Sequence, residues 1–493
     1  MNLLTVLVIL LPLAGCLVVL ALPERVAVGF CVYVSGLTLA AAVGMVTWFD
    51  YGRADQVQLS VDLPWIPALG LRLHLGVDGI SLPLVVLTAL LCALCAVYLT
   101  RPAGSPDRPR ALVSLLLLAQ VGMTGTFLAL DLLLFFMFFE VVLVPMYAVI
   151  AGWGGGPGRV AAARQFILYT LLGSGVLLTG LLVIYTSTST LDILELTRRG
   201  GAGIGATVQV VAFLLVAGGL AVKVPVWPLH SWLPDAHTEA PTVGSVLLAG
   251  VLLKMGSYGL VRIAVPVLPA GAAEIAPVLG ALGVVGIVYA ALACLAQRDL
   301  KRLIAFSSVG HMGFVLLGIA TLTPAGLNGA LFANLAHGLI TGLLFFLAGG
   351  LAQRCGDTDI AGLGGGLLGR APRLGGLLVF AAIASLGLPG LAGFWGELLA
   401  LLSAFQPAGA LDRELYLGFM AVAGLGAVLT AGYLLVMLRR VAQGPVGEPV
   451  ADVSAVEWVV WAPLVVLVVV AGLWPRLVLG VTDGAVRTLL GGG

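Results

Sequence analysis

Four ionisable side chains interrupt long apolar runs: Glu140 in FFMFFEVVLVPMY, Lys223 in GGLAVKVPVWPLHSW, Lys254 in VLLAGVLLKMGSYGL and Glu397 in LGLPGLAGFWGELLALL. Placing one charge at the centre of a bilayer costs about 2.5–3.5 kcal/mol, so such residues are rare and mark ion or proton paths. His311 in FSSVGHMGF and His337 in ANLAHGLIT lie in similar surroundings. The chemistry these residue types support is proton transfer. A desolvated lysine gives up its proton more readily than an exposed one, and a nearby carboxylate reverses that preference. Imidazole titrates near neutrality and exchanges protons at two nitrogens. Glu140 close to Lys223 is therefore expected to hold that lysine charged. Moving the two apart would send its proton through Lys254, His311 and His337 to Glu397, with ordered water filling the gaps.

The elements that must position these groups are membrane helices. The chain has 493 residues, is 60% hydrophobic and only 10% charged, a composition outside that of soluble domains. A net charge of +1 and the lack of a basic block argue against nucleic acid as a partner. Fourteen apolar segments are expected near 3–22, 27–48, 82–100, 111–129, 132–151, 165–186, 208–229, 243–264, 276–296, 302–320, 327–349, 375–404, 415–438 and 456–474. The N-terminal one reads as a retained span, because no Lys or Arg precedes it. Arg and Lys are in excess on the loops that follow odd-numbered spans, for example Arg101, Arg108, Arg110, Arg298, Lys301 and Arg302. That bias places both termini on the outer side. The long outer loop at 49–81 alternates Val57, Leu59, Val61, Leu63 and then Leu71, Leu73, Leu75, Val77, the pattern of a short β-hairpin. Asp78, in GVDGIS, is expected to anchor it at the start of span three.

Two spans carry helix breakers beside a charge. Pro225 and Pro228 follow Lys223 in span seven; Gly387, Pro389 and Gly390 precede Glu397 in span twelve. The breaks lie five spans apart. Units of five spans, 4–8 and 9–13, cross the membrane an odd number of times, so the second copy must be inverted relative to the first. Inverted repeats with matching broken helices mark an ion-coupled site near the midplane. The expected architecture is all-α and polytopic, with four parts: residues 1–110 with the hairpin, 111–265 as the first repeat, 276–440 as the second, and 441–493 with span fourteen and a tail.

Depth follows from about 1.5 Å of rise per residue. Glu140, nine residues past Asp131, and Lys254, eleven past Val243, both come out about 15 Å deep, and the two histidines reach a comparable level. Glu397 comes out nearer the outer side. Each group also has a structural reading. Glu140 and Lys223 could serve only as a helix-pinning ion pair, His311 and His337 as hydrogen-bonded core histidines, and Glu397 as an interfacial residue. His230, Asp235, His237 and Glu239 are expected towards the inner surface in turn or packing roles, not at a metal. Cys92 and Cys95 form a CxxC inside span three with no second ligand pair. No iron–sulfur cysteine set, Rossmann fingerprint or P-loop is present, so no cofactor is expected on this chain.

These residues also carry a family resemblance. The stretch KVPVWPLHSWLPDAHTEAPTVGSVLLAGVLLKMGSYGLVR, together with FFEVVLVPMY, FSSVGHMGF, AHGLITGLLFF and GLAGFWGE, resembles the antiporter-like subunits of respiratory complex I. The likeness covers nearly the whole chain and is strongest over spans 3–13. GVDGIS, and Glu397 where sister chains typically carry lysine, narrow it to one branch of that family. The resemblance implies a proton channel built on Glu140, Lys223, Lys254 and Glu397, with His311 and His337 on the connecting axis. It implies a multi-pass protein of the bacterial inner membrane, flanked by two sister antiporter-like chains. NADH, FMN, iron–sulfur clusters and quinone would then belong to partner subunits. A D-type subunit of a multisubunit sodium/proton antiporter and a membrane-bound hydrogenase subunit share these residues. A scaffold chain with purely structural charges is the remaining alternative.

Overall fold

A computed structural model describes residues 3–101, 106–445 and 448–491. The chain opens with α1 (Leu3–Ala21) and α2 (Glu24–Trp48), then an antiparallel hairpin, β1 (Gln58–Ile66) and β2 (Leu71–Val77), leading into α3 (Ser81–Tyr98). After α4 (Pro109–Leu128) comes a span in two pieces, α5 (Leu132–Val141) and α6 (Leu143–Trp153). Next are α7 (Arg159–Thr188), short α8 (Ile193–Arg199), α9 (Ala206–Lys223) and short α10 (Trp232–Glu239). Span eight runs as α11 (Thr242–Leu247), α12 (Leu253–Gly259) and α13 (Val265–Val267), joined by π-helical turns at Leu248–Leu252 and Leu260–Ala264. Then follow α14 (Pro269–Leu295), α15 (Leu300–Ala320), α16 (Pro324–Cys355), a single turn α17 (Leu367–Arg370), and the paired α18 (Pro372–Ser385) and α19 (Ala392–Phe405). α20 (Arg413–Val441), α21 (Ala455–Leu473) and α22 (Arg476–Leu489) complete the described chain.

Among the described residues, 13 helices are long and apolar enough to cross a membrane. Span twelve of the sequence reading is instead two 14-residue helices, α18 and α19, with Gly387 (φ 79°) and Gly390 (φ 94°) in the left-handed backbone between them. Only glycine adopts that geometry without strain, so Pro389 and its two glycines set the break. Span seven is also shorter than its apolar run. It stops at Lys223, not residue 229, because Pro225 and Pro228 have no N–H to extend the ladder.

The hairpin forms as the alternation predicts, with Val61 opposite Leu75 and Leu63 opposite Leu73. Asp78 caps the helix that follows, its carboxylate accepting from the Ile80 and Ser81 amides at 3.0 Å. Aspartates fix two further turns in the same way. Asp131 caps α5 and bridges to Asp192; Asp299 caps α15 and bridges to Asp359. In each case the residue after the capping aspartate donates to the far loop, and that loop donates back to the residue before it: Leu132 to Leu191 and Ile193 to Leu130 in one, Leu300 to Thr358 and Ile360 to Arg298 in the other.

The core lies around span eight, where every residue from Val243 to Leu268 is buried. α16 packs beside it and α15 against α16, both nearly as enclosed, while α1, α2, α7, α20 and α21 turn wide apolar faces outward. A helix buried on all sides at the centre of such a bundle is where a polar path can be kept from lipid.

Candidate proton-transfer site

Each of the four charges sits beside a defect in the helical hydrogen-bond ladder. Glu140 lies two residues before Val142, the joint between α5 and α6. The cause is Pro145, which withdraws the donor that residue 141 would otherwise meet. Lys223 is the last residue of α9. Lys254 follows directly on the π-helical turn at Leu248–Leu252, and Glu397 stands in the second turn after the glycine break. Such defects free backbone carbonyls, and an ammonium buried in an apolar bundle needs acceptors.

The lysines use those carbonyls. Lys223, only 2% exposed, donates to the carbonyl of Phe139 at 2.9 Å and lies over the Phe139 ring, 3.3 Å from its centroid. That carbonyl is among the last four of α5, so the cation stands at the negative end of the helix dipole. Glu140, the next residue, is not within 4.0 Å of Lys223; its carboxylate accepts from the Ser174 hydroxyl on α7. The expected contact ion pair is thus open here. The lysine is held by the backbone next to the glutamate, and the glutamate by a serine on the partly exposed side.

Lys254 is fully buried. Its Nζ donates to the Ala249 carbonyl of the π turn and lies 2.5 Å from Nδ1 of His337 on α16. The His337 and His311 ring centroids are 5.7 Å apart. His311, on α15, meets Glu397 through Nδ1 at 3.1 Å and Ser385 through Nε2 at 3.0 Å. Lys254, His337, His311 and Glu397 therefore form one line of side chains from span eight to span twelve. Glu397 stands level with His311, midway along α15, and not near the outer surface. Its distance from a helix end misjudged its depth, because the break resets where α19 begins.

The one gap in this line is small, with apolar walls from Phe314, Ala336 and Ile340 beside its polar ones. A cavity of about 20 Å³ is bounded by His311, His337, Thr341, Ser385 and Glu397. That is room for roughly one water, which needs ~10–15 Å³. His337 Nε2 is buried beside it with no protein partner.

Ser174 and Ser385 escaped the sequence reading, as did the backbone acceptors at Phe139 and Ala249. Serines are common in membrane helices, and only a known partner distinguishes these two. The π turn had no clear signal either beyond Gly250. Pro145 was visible and is the one cue that could have flagged the break at Glu140. Of the residues expected near the inner surface, His237 is fully buried, stacked on Phe345 with ring centroids 4.5 Å apart. Both its nitrogens lack protein partners. His230 packs edge-on against Tyr289, 4.9 Å between centroids, and Asp235 pairs with Arg302 at 2.8 Å. Among the described residues no group of three His, Cys, Asp or Glu is placed to hold a metal.

A sequence model described as "NADH:quinone oxidoreductase/Mrp antiporter, TM" matches residues 129–425, a stretch that holds all six of these groups. The chain belongs to this family. The NADH-quinone oxidoreductase subunit M of Rhodobacter capsulatus is 37% identical over 468 residues, covering 92% of this chain and 88% of the relative. The NAD(P)H-quinone oxidoreductase chain 4 1 of Synechococcus sp. (strain JA-3-3Ab) is 41% identical over 476 residues, 95% of this chain and 89% of that one. In structure, a chain of respiratory complex I from Thermus thermophilus with bound NADH superimposes with a TM-score of 0.87 at 30% identity, over 99% of this chain and 100% of that one. A chain of the Mrp complex from Dietzia sp. DQ12-45-1b also gives 0.87, at 25% identity over 99% of this chain and 97% of its own. Antiporter-family helices thus surround the whole Lys254–Glu397 line.

Proposed function

We propose that this chain is a proton-translocating membrane-arm subunit of an NADH:quinone oxidoreductase, in which redox chemistry on partner subunits drives protons through the buried line described above. The observation that carries the reading is the line Lys254–His337–His311–Glu397, interrupted only by the small cavity between the two histidines. Lys254 passes a proton to Nδ1 of His337; Nε2 of that ring hands one through water and the Ser385 hydroxyl to Nε2 of His311; Nδ1 of His311 delivers to Glu397 and so towards the outer side. Imidazole suits this because accepting at one nitrogen and releasing at the other completes a transfer without moving the ring. Lys223 is the donor that feeds Lys254. Glu140 is its modulator: as a charge change in a neighbouring chain draws Glu140 towards or away from Lys223, the lysine holds or releases its proton.

The paired aspartate bridges support the inverted-repeat reading. They occur after spans four and nine, five spans apart, and each ties the start of one helix to the loop two spans later. The remaining expectations belong to the same reading: two sister antiporter-like chains alongside, both termini on the outer face of a bacterial inner membrane, and NADH, FMN, iron–sulfur clusters and quinone bound elsewhere in the assembly. A sodium/proton antiporter subunit is the second reading, favoured by the equal TM-score to the Mrp chain. The higher identity to quinone oxidoreductase chains across nearly the full length weighs against it.

The test is neutralisation of the first pair. Lys223→Ala or Glu140→Gln in the assembled complex is expected to remove this chain's share of the protons translocated per electron passed to quinone. A normal proton-to-electron ratio in both variants would overturn the reading.

A further inference from the structure

A second cavity in the described structure lies away from the charged line. It is a groove of about 620 Å³ between α3, α16, α21 and α22, at the hairpin end of the bundle. Its walls are aliphatic, with Leu82, Val86 and Leu90 on one side and Leu339 and Val470 on others, and one charged residue, Arg476, stands at the rim. The volume falls inside the range of small-molecule clefts, about 300–1,000 Å³.

Three features say what fills it. First, depth: Leu82 to Leu90 spans about 12 Å of helix, close to half of a ~30 Å hydrocarbon core. The groove therefore runs from one membrane surface to the midplane, the extent of one leaflet. Second, level: α22 is amphipathic, burying Val478, Val481, Ala485 and Val486 against the bundle, while Trp474, Leu473 and Leu477 at its start are exposed. An amphipathic helix led by an exposed tryptophan lies at the headgroup boundary. Third, charge: Arg487 on the same helix is engaged by Asp483 at 2.8 Å, whereas the exposed Arg476 has no carboxylate within 4.0 Å among the described residues. An unpaired guanidinium at headgroup level above an acyl-deep apolar slot matches a phosphate ester carrying a hydrocarbon tail.

We propose that this groove is a binding site for an anionic membrane phospholipid, with its phosphate on Arg476 and one acyl chain along α3 down to Leu339. The site has a structural consequence for the proton line. Leu335 and Leu339, both lining the groove, lie one helical turn apart on the face of α16 that turns away from His337. The acyl chain packs the back of the helix that carries the relay histidine.

The experiment reconstitutes the intact assembly in phosphatidylethanolamine vesicles containing phosphatidylglycerol with a photoactivatable group at mid-chain. Cross-linked peptides are then mapped by mass spectrometry. Labelling is expected on the α3 and α16 segments. Arg476→Gln should lower it about fivefold, the factor one arginine contributes at an anionic lipid surface. Val470→Trp, which fills the slot from its exposed side, should remove it. Arg476 is exposed at a helix start, so its variant folds even if the tryptophan variant does not. Label absent from α3 and α16, or unchanged in Arg476→Gln, overturns the site. Equal labelling by a photoactivatable phosphatidylcholine overturns the anionic selectivity, and groove peptides cross-linked to a neighbouring protein chain would assign the groove to that chain instead.

Discussion

At the scale of single residues, the geometry separates groups that carry protons from groups that hold them in place. His311 touches both Ser385 and Glu397, so its two nitrogens are already committed to the two ends of a transfer step. His311→Gln keeps a side chain able to hydrogen-bond but cannot titrate. Proton transfer through this chain is expected to slow about 100-fold in that variant, the lower end of what a positioned acid–base group supplies, and its share of translocation to be lost. Native gels should show normal assembly; a wild-type proton-to-electron ratio would remove His311 from the path. The types of these residues were legible from sequence, since a charge inside an apolar run is conspicuous wherever it falls. Their contacts were not. Nothing in FFEVV says that Lys223 binds the carbonyl before Glu140 and not the carboxylate itself.

Secondary elements account for why the charges are tolerated. Asp78 shows how closely the elements depend on single polar contacts: it caps α3 and pairs, at 3% side-chain exposure, with Arg262 in the second π turn of span eight. Asp78→Ala leaves a buried guanidinium unpaired, which costs about 3–5 kcal/mol. A clear drop in the thermal unfolding temperature of the detergent-solubilised assembly is expected; an unchanged one would mean that Arg262 finds another partner. A second contact ties the hairpin to the loop before α8, where His74 Nδ1 lies 2.9 Å from the Asp192 carboxylate. Burial pulls the Asp192 carboxyl upward, but hydrogen bonds from His74 and the Glu195 amide outweigh it and hold it below its ordinary value. A carboxyl held low stabilises the fold above its unfolded pKa, about 3.9, and loses that contribution as pH falls through the folded value. Protection of β2 amides relative to their intrinsic exchange should therefore be flat from neutral pH down to that range and fall below it, and His74→Ala should shift the onset upward. An onset unmoved by that substitution would rule the contact out as the cause. Proline and glycine made the breaks in spans seven and twelve readable in advance. The π turns around Lys254 were hidden, because an extra residue per turn is imposed by neighbouring helices and leaves no pattern in the local sequence.

Across the whole molecule, the polar line runs sideways through the bundle, from span eight to span twelve, inside a shell of lipid-facing helices. The apolar runs traced the outline of this architecture, and the two broken spans its centre. The lateral order of the groups needed three dimensions, because Lys254 and His337 are 83 residues apart and His311 and Glu397 are 86. Glu397 illustrates the limit: counted from a helix end it seemed shallow, yet packing sets it against the central histidine. The central claim is that Lys254 hands protons to this line, and the scaffold alternative holds that it only fixes helix packing. Both are decided by the proton-to-electron ratio of proteoliposomes in which NADH drives quinone reduction, compared between wild type and Lys254→Met, a substitution that keeps the side-chain length. The account predicts loss of this chain's share of pumped protons, with the assembly still formed. Wild-type pumping accompanied by lower thermal stability would contradict it and make the lysine a structural residue.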